Sequence, residues 1–532
     1  MPAELSRRSL LKAAGLTAGA VGVASLGFAC GPAAGPAALP SSGVPRRGGT
    51  LTYAASADIV SLDPPNIGDT VSANAQLLIY EGLVAQTPDL ELLPSLATSW
   101  EVNDLAWTFK LRTGVQFHDA TPFNAAAVKF VFDRILGPER TLRKGIWAAI
   151  LERVEVVDDG TVRFVTKYTD PFFPTRVVAN ASGAIFSPAA FRRLGADLAK
   201  NPVGTGPFRF VEWVKDDHLT VERFDGYWGG AAYLDRVVIR PVPEAETRVI
   251  ALEAGDVQLA IRLNPEHVAR VQQNARLKLL RTDTTRHYYM GLANLKRPWS
   301  DVRVRQALNY AVDKQGLINN LFQGLAKLQN GLLPLGTPGY VDLPGFPYDP
   351  AKAKQLLNDA GYPNGFSASF VGPKGSYLKD FELMQALQQQ WKAVGVEIKL
   401  DIVEFAKYLE LLRMDPKQSP LEMWFDTMAG GGQGPDYFIN RFGCDSFRPV
   451  GTNTAGSCDP GIDRLAAEAQ RTLDPAKRNQ LMKDAQEQLS RAAPAVWLFS
   501  IAQIAGTSAR VHDAVFTRNE NLTVDAHTWL EA

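Results

Sequence analysis

Charge of one sign is what this chain lacks most plainly. Lys plus Arg and Asp plus Glu each number 56 in 532 residues, so the formal net charge is zero. There is no basic excess to meet nucleic acid or an anionic membrane, and charge is not the recognition device. Histidine is also scarce. The six residues His118, His218, His267, His287, His512 and His527 never fall at His-x-x-x-His or similar metal-ligand spacing, and no metal site is expected. No Gly-x-Ser-x-Gly elbow occurs. Carboxylates are plentiful, but nothing places two of them together as a glycosidase pair. A hydrolase therefore has no motif to stand on. Long apolar runs are missing too, apart from residues 13–28, which are rich in Gly and shorter than the ~20 residues a spanning helix needs.

That one run has a context. It follows Ser6-Arg7-Arg8-Ser9-Leu10-Leu11-Lys12 and ends at Ala29-Cys30. A paired-arginine start, a short apolar middle and a small-residue end predict a twin-arginine export signal over residues 1–29. Cys30 stands where a lipoprotein cysteine would stand. Gly27 holds the place three residues earlier that Leu usually takes, with Leu26 one further back, so lipidation of Cys30 and plain cleavage are both open. Residues 30–47 are mostly Gly, Pro, Ala and Ser with two arginines at the end, a composition that buries no core and predicts a flexible linker. Removing residues 1–29 takes away Arg7, Arg8, Lys12 and Glu4 and leaves a charge of about −2. The remaining cysteines, Cys444 and Cys458, would then share an oxidising compartment, and a disulfide between them is expected. The rival reading, a metal site, would need His or further Cys close by, and none is there.

Along the mature chain, strands and helices are interleaved. Residues 50–54 and 107–112 have strand character, 154–157 and 162–166 form a hairpin around Asp159-Gly160, and 208–214 pairs with 219–223. Thr121-Pro122 is expected to open a helix through Val128, Val131, Phe132 and Ile135, and another short helix covers 75–80. In the second half, Asp301, Asp349-Pro350 and Asp474-Pro475 each start a helix, and an amphipathic stretch over 381–394 leads into a strand over 396–403. Such alternation implies α/β lobes with mixed sheets.

Several blocks are more specific. Leu96-Ala97-Thr98-Ser99-Trp100-Glu101, Trp107 to Arg112, and Gly114-Val115-Gln116-Phe117-His118-Asp119-Ala120-Thr121-Pro122-Phe123 resemble the signature of family 5 extracellular solute-binding proteins, the peptide- and nickel-type receptors of ABC importers. Asn201-Pro202-Val203-Gly204-Thr205-Gly206-Pro207-Phe208 with Tyr227-Trp228, Asp301 to Leu308, and Tyr348-Asp349-Pro350 with Ala360-Gly361-Tyr362 resemble further blocks of that family in the same order. One departure is Ala120, where the family usually has Gly, at a turn that needs a particular backbone angle. The resemblance implies a two-lobed periplasmic-binding-protein-like fold (class II, with an extra subdomain). Residues 48–283 plus 496–532 would form one lobe and 284–495 the other. Crossings are expected near Arg286-His287-Tyr288-Tyr289 and Val496-Trp497-Leu498. It also implies a monomer without intrinsic cofactor, located in the periplasm or on the outer face of the cytoplasmic membrane. Its partners would be a small solute or short peptide and a membrane permease.

In family members that hold peptides, an Asp shortly after a Trp pairs with the ligand's ammonium. Counting from Trp424, Asp426 is one residue short of that place. Counting back from Pro435, the place falls on Gly431. The two alignments stay open. The loop Val60-Ser61-Leu62 and the aromatics Trp424 and Trp497 are the other candidate ligand contacts, since such pockets are apolar with few polar fixers. Core packing accounts better for Trp100 and Trp107. The run Gly430-Gly431-Gly432-Gln433-Gly434 carries no Lys-Ser or Lys-Thr and is not a phosphate loop. A peptide is the default solute; a nickel chelate, an opine or an oligosaccharide are alternatives, as is a ligand-sensing role without transport.

Overall fold

The computed structural model describes residues 44–531 apart from 179–182, 338 and 429–433. The expected export signal, Cys30, most of the expected linker and Gly431 lie outside the described residues.

Two strands organise the chain. Leu277–Leu292 has 16 residues and Ala495–Ser508 has 14. They pair antiparallel from Leu277 opposite Ser508 to Gly291 opposite Ala495. Ala495–Ser508 is buried along almost its whole length. A strand covered on both faces has no polar side, so its sequence shows no alternation. Met423–Met428, Phe366–Gly372 and Val396–Ile402 extend the sheet on one flank. Leu259–Ala260, Thr50–Ala55, Arg236–Pro241, His218–Arg223 and Phe208–Val214 extend it on the other. The sheet is mixed: Thr50–Ala55 runs parallel to both its neighbours, and so does Phe366–Gly372. A separate antiparallel sheet of Ala97–Asn103, Ala106–Leu111, Thr161–Thr166 and Leu151–Asp158 forms an extra subdomain.

Apolar side chains gather into two main cores. One draws on residues between Leu51 and Ile261 and returns with Ala505 to Ala526; the other runs from Tyr288 to Ile501. This is a two-lobed α/β architecture. The ladder between the two long strands is interrupted between Asp283 and His287. There the Thr284 hydroxyl donates to the Ile501 carbonyl at 2.7 Å and the Thr285 N–H to the Arg518 carbonyl at 2.7 Å. Arg286 forks onto both oxygens of Glu520 at 2.6 Å each. The irregular backbone is thereby satisfied by the C-terminal segment.

Helix starts follow their caps. Asp301, Asp349 and Asp474 accept the N–H of Arg303, Lys352 and Lys477. Two starts differ from the sequence reading. The helix expected after Thr121-Pro122 begins at Ala125 under an Asn124 cap. Thr121 is used elsewhere: its carbonyl accepts the Phe117 N–H and its hydroxyl donates to Asp119. The helix expected over 75–80 begins earlier, as Thr70–Ile79 behind the Asp69 cap. Cys444 and Cys458 are disulfide-bonded.

Two of the motif blocks meet on a buried carboxylate. Glu81 accepts from the Tyr227 hydroxyl at 2.8 Å, the Trp228 indole at 2.8 Å and the Thr205 hydroxyl at 2.9 Å. Burial nevertheless pushes its pKa up to about 7. His118, in the signature, is a structural histidine. Its Nδ1 accepts the Gly204 N–H and its Nε2 donates to the Gly206 carbonyl, while burial lowers its pKa to about 4.

Ala120 sits at φ +63°, in the left-handed region where an L side chain is strained. Ala120→Gly is expected to raise the unfolding free energy by about 0.5–1 kcal/mol, read by denaturant titration. A second expectation concerns pH. The folded chain holds a proton on Glu81 up to about pH 7, whereas an unperturbed Glu releases it near 4.5. Over that window the folded state binds more protons, so this group's contribution falls as pH rises and its penalty is complete above about 7. Wild type should therefore lose about 3 kcal/mol relative to Glu81→Gln between pH 4.5 and 7.5. A parallel pH dependence of the two proteins would contradict this.

Candidate functional site

The carboxyl ends of parallel strands are where loops carry recognition groups in α/β sheets. Beyond Thr50–Ala55 lies the Val60-Ser61-Leu62 loop. Val60 is 75% exposed, while its N–H is held by the Ser72 hydroxyl at 2.9 Å. The Ser61 hydroxyl accepts the Asp63 N–H at 3.1 Å. Leu62 is buried, with its N–H on the Ala199 carbonyl. Val60 and Ser61 are thus at the surface, and Leu62 anchors the loop from below.

Across the sheet, Met423–Met428 pairs with the long strand in a register that sets Trp424 opposite Gly291 and Asp426 opposite Tyr289. Tyr289 in turn lies opposite Trp497. Directly opposed residues share a face, so Trp424, Asp426, Tyr289 and Trp497 form one wall. Gly291 is required there, because an added Cβ would lie 2.1 Å from the Trp424 indole. Trp424 and Trp497 are enclosed in the second core. Trp497 stacks on His287 with ring centroids 5.7 Å apart and meets Phe442 edge-on. Burial lowers the His287 pKa to about 3, so the ring is neutral.

Asp426 is 5% exposed and already has partners. Its Oδ2 accepts the Trp424 indole N–H at 3.1 Å and lies 3.6 Å from an Arg441 guanidinium nitrogen, and its Oδ1 accepts the Thr427 N–H at 2.8 Å. Burial and the facing carboxylate hold the Tyr289 phenol protonated. Tyr289, Trp424, Asp426, Arg441 and Thr454 line a small pocket with room for about one water. Arg448 completes the surroundings. Burial and the charges of Arg441 and Arg413 lower its pKa, and its buried Nε has no hydrogen-bond partner. Two guanidiniums, Arg441 and Arg448, thus act on this one carboxylate.

Of the residues singled out from sequence, Asp426, Trp424 and Trp497 come together in the structure, while Tyr289, Arg441 and Arg448 were not singled out as their surroundings. Arg441 lies on the helix Pro435–Phe442, and no local signal relates that helix to the strand before it. Among the described residues no group of three or more His, Cys, Asp or Glu could hold a metal ion, and no helix is long and apolar enough to cross a membrane.

Comparison with known proteins bears on this arrangement. The profile of the bacterial extracellular solute-binding proteins, family 5 middle, matches residues 91–447. The glutathione-binding protein GsiB of Pectobacterium atrosepticum is 34% identical over 444 residues, covering 82% of this chain and 86% of that protein. The periplasmic binding protein DppA of Helicobacter pylori, solved with the peptide STSA, superposes with a TM-score of 0.77 at 27% identity, covering 92% of this chain and 99% of that one. MoaA of A. tumefaciens R10, solved with mannopinic acid, superposes with a TM-score of 0.76 at 25% identity, covering 91% and 99%.

Asp426→Asn keeps the shape but removes the charge facing Arg441 and Trp424. The unfolding free energy should fall by about 1–3 kcal/mol, the cost of leaving buried partners unmatched. Unchanged denaturation would mean that Arg441 does not depend on Asp426.

Proposed function

The chain belongs to the bacterial extracellular solute-binding proteins of family 5, the solute-capturing components of ABC importers, and on that premise we propose that its solute is a short acidic peptide of the glutathione class. The observation that carries this reading is the buried Arg448 guanidinium near Asp426, whose Nε has no hydrogen-bond partner. Glutathione has two carboxylates and one ammonium, so Arg448, with its unmatched Nε, would meet a carboxylate. Of the two alignments, the one that counts back from Pro435 puts Gly431 where a peptide-type receptor would present an Asp, and Gly431 offers no carboxylate for an ammonium. The likeness to GsiB supports the same solute. A second reading is an opine-like acid, favoured by the likeness to the mannopinic acid receptor. It draws on the same guanidiniums.

In this reading residues 48–283 plus 496–532 form one jaw and 284–495 the other. The hinge is the interruption between Asp283 and His287. Solute touching both jaws would favour the closed state by its differential affinity, and the permease would read that state. Val60 and Ser61 would meet the solute from the first jaw. Trp424, Asp426 and Trp497 would shape the wall of the second. Export by the twin-arginine route, attachment through a lipidated Cys30 and a monomeric state complete the proposal.

Titration calorimetry tests it. Glutathione should bind stoichiometrically and be recovered unchanged, and Arg448→Gln should weaken binding at least tenfold, about 1.4 kcal/mol. No heat with glutathione, alongside saturable heat with mannopinic acid, would replace the first reading with the second.

A further inference from the structure

The helix Pro435–Phe442 begins directly after the glycine-rich loop, and its second residue reaches away from its own core. Asp436 Oδ2 accepts from Arg176 Nη2 at 2.8 Å, across 260 positions of sequence. Its Oδ1 accepts from Gln470 Nε2 at 2.8 Å, and that same nitrogen lies 3.3 Å from the Tyr168 hydroxyl. The two sides belong to different cores. Phe173 and Val177, which flank Arg176, pack in the first; Phe438 and Phe442, on the helix of Asp436, pack in the second.

Arg176 is prepared for this contact. Its Nε donates to Asp170 Oδ2 at 2.6 Å, and Asp170 is fully buried and also accepts the Phe172 N–H. One edge of the guanidinium is thus fixed within its own lobe, and an Nη is left pointing at the other. The side chains of Arg176 and Asp436 are only 9% and 14% exposed, so the pair is poorly screened by solvent. Three further described ion pairs join the two jaws. Lys379 with Glu266 at 3.4 Å has a Glu side chain 47% exposed and is worth little, while Lys327 with Asp283 and Arg286 with Glu520 sit at the hinge itself and do not span the cleft.

We propose that Arg176 is a positioning residue for closure: held by Asp170, it clasps Asp436 when the jaws meet and so sets the Arg441 helix against the solute. The contact is made between protein groups alone, so it biases the open–closed equilibrium whatever the solute is. The inference rests on the two-jaw reading above but not on glutathione being the solute.

Asp436→Asn is the informative variant, because it removes the clasp and leaves the Arg176–Asp170 pair intact. It is compared with wild type, Arg176→Gln and the double variant, with thermal melts confirming that each is folded. Small-angle scattering of the solute-free proteins should show a larger radius of gyration in Asp436→Asn than in wild type. Calorimetry with glutathione should show about tenfold weaker binding in Asp436→Asn, because a smaller competent fraction lowers apparent affinity in proportion. The double variant should be no weaker than Arg176→Gln alone. Wild-type scattering from a folded Asp436→Asn, or losses that simply multiply in the double variant, would overturn the clasp. If wild type gives no heat with glutathione, the solute assignment fails, while the scattering comparison still decides the clasp.

Discussion

The antiparallel pairing of Leu277–Leu292 with Ala495–Ser508 is the constraint on which everything else depends. These strands carry one sheet through both lobes, and their shared ladder is irregular within one short stretch, between Asp283 and His287 and again between Tyr288 and Tyr289. A continuous ladder would weld the two cores into one body. A missing one would leave them as beads on a string. The observed arrangement gives a long paired connection whose widest interruption, residues 284–286, has its backbone held by Ile501 and Arg518 and its arginine held by Glu520. Hinges are built from short segments of this kind, in which a few residues absorb a rotation while packed cores stay rigid.

The chemistry of the site follows from register. One residue of slip along Met423–Met428 would turn Trp424 and Asp426 to the opposite face and bring Phe425 and Thr427 forward. Tyr289 and Trp497 on the neighbouring strands complete the wall, and Gly291 lets the Trp424 indole lie against the backbone. The wall is aromatic and buried, its one carboxylate is held by Trp424, Thr427 and Arg441, and the Trp497 indole N–H has no partner. In the proposed reading this wall supplies the apolar surface and the arginines supply the few charged groups that choose the solute's class.

Much of the fold was legible in the sequence because its signals are local. Asp301, Asp349 and Asp474 announce helices through their own side chains and the residues beside them. The hairpin at Asp159-Gly160 and the disulfide of Cys444 with Cys458 were likewise readable, the latter from the compartment that an export signal implies. Thr121 misled because its hydroxyl and carbonyl serve a turn with Asp119 and Phe117, leaving the cap to Asn124. Ala495–Ser508 has no period to read, since both its faces are covered. The contacts of Glu81 with Tyr227 and Trp228, and of Arg176 with Asp436, join residues about 150 or 260 positions apart, and neither partner carries a mark of the other.

The family, the sheet and the cores all point to a receptor that shuts around a solute, and the motion itself is directly measurable. Spin labels at Glu101 on the extra subdomain and Lys483 on the helix Pro475–Ala492, both exposed, would report the distance between the jaws by pulsed electron resonance. Saturating glutathione, or whichever acid binds, should draw the distance distribution toward its shorter end. A single distribution unchanged by a solute that demonstrably binds would contradict closure about the 284–286 segment.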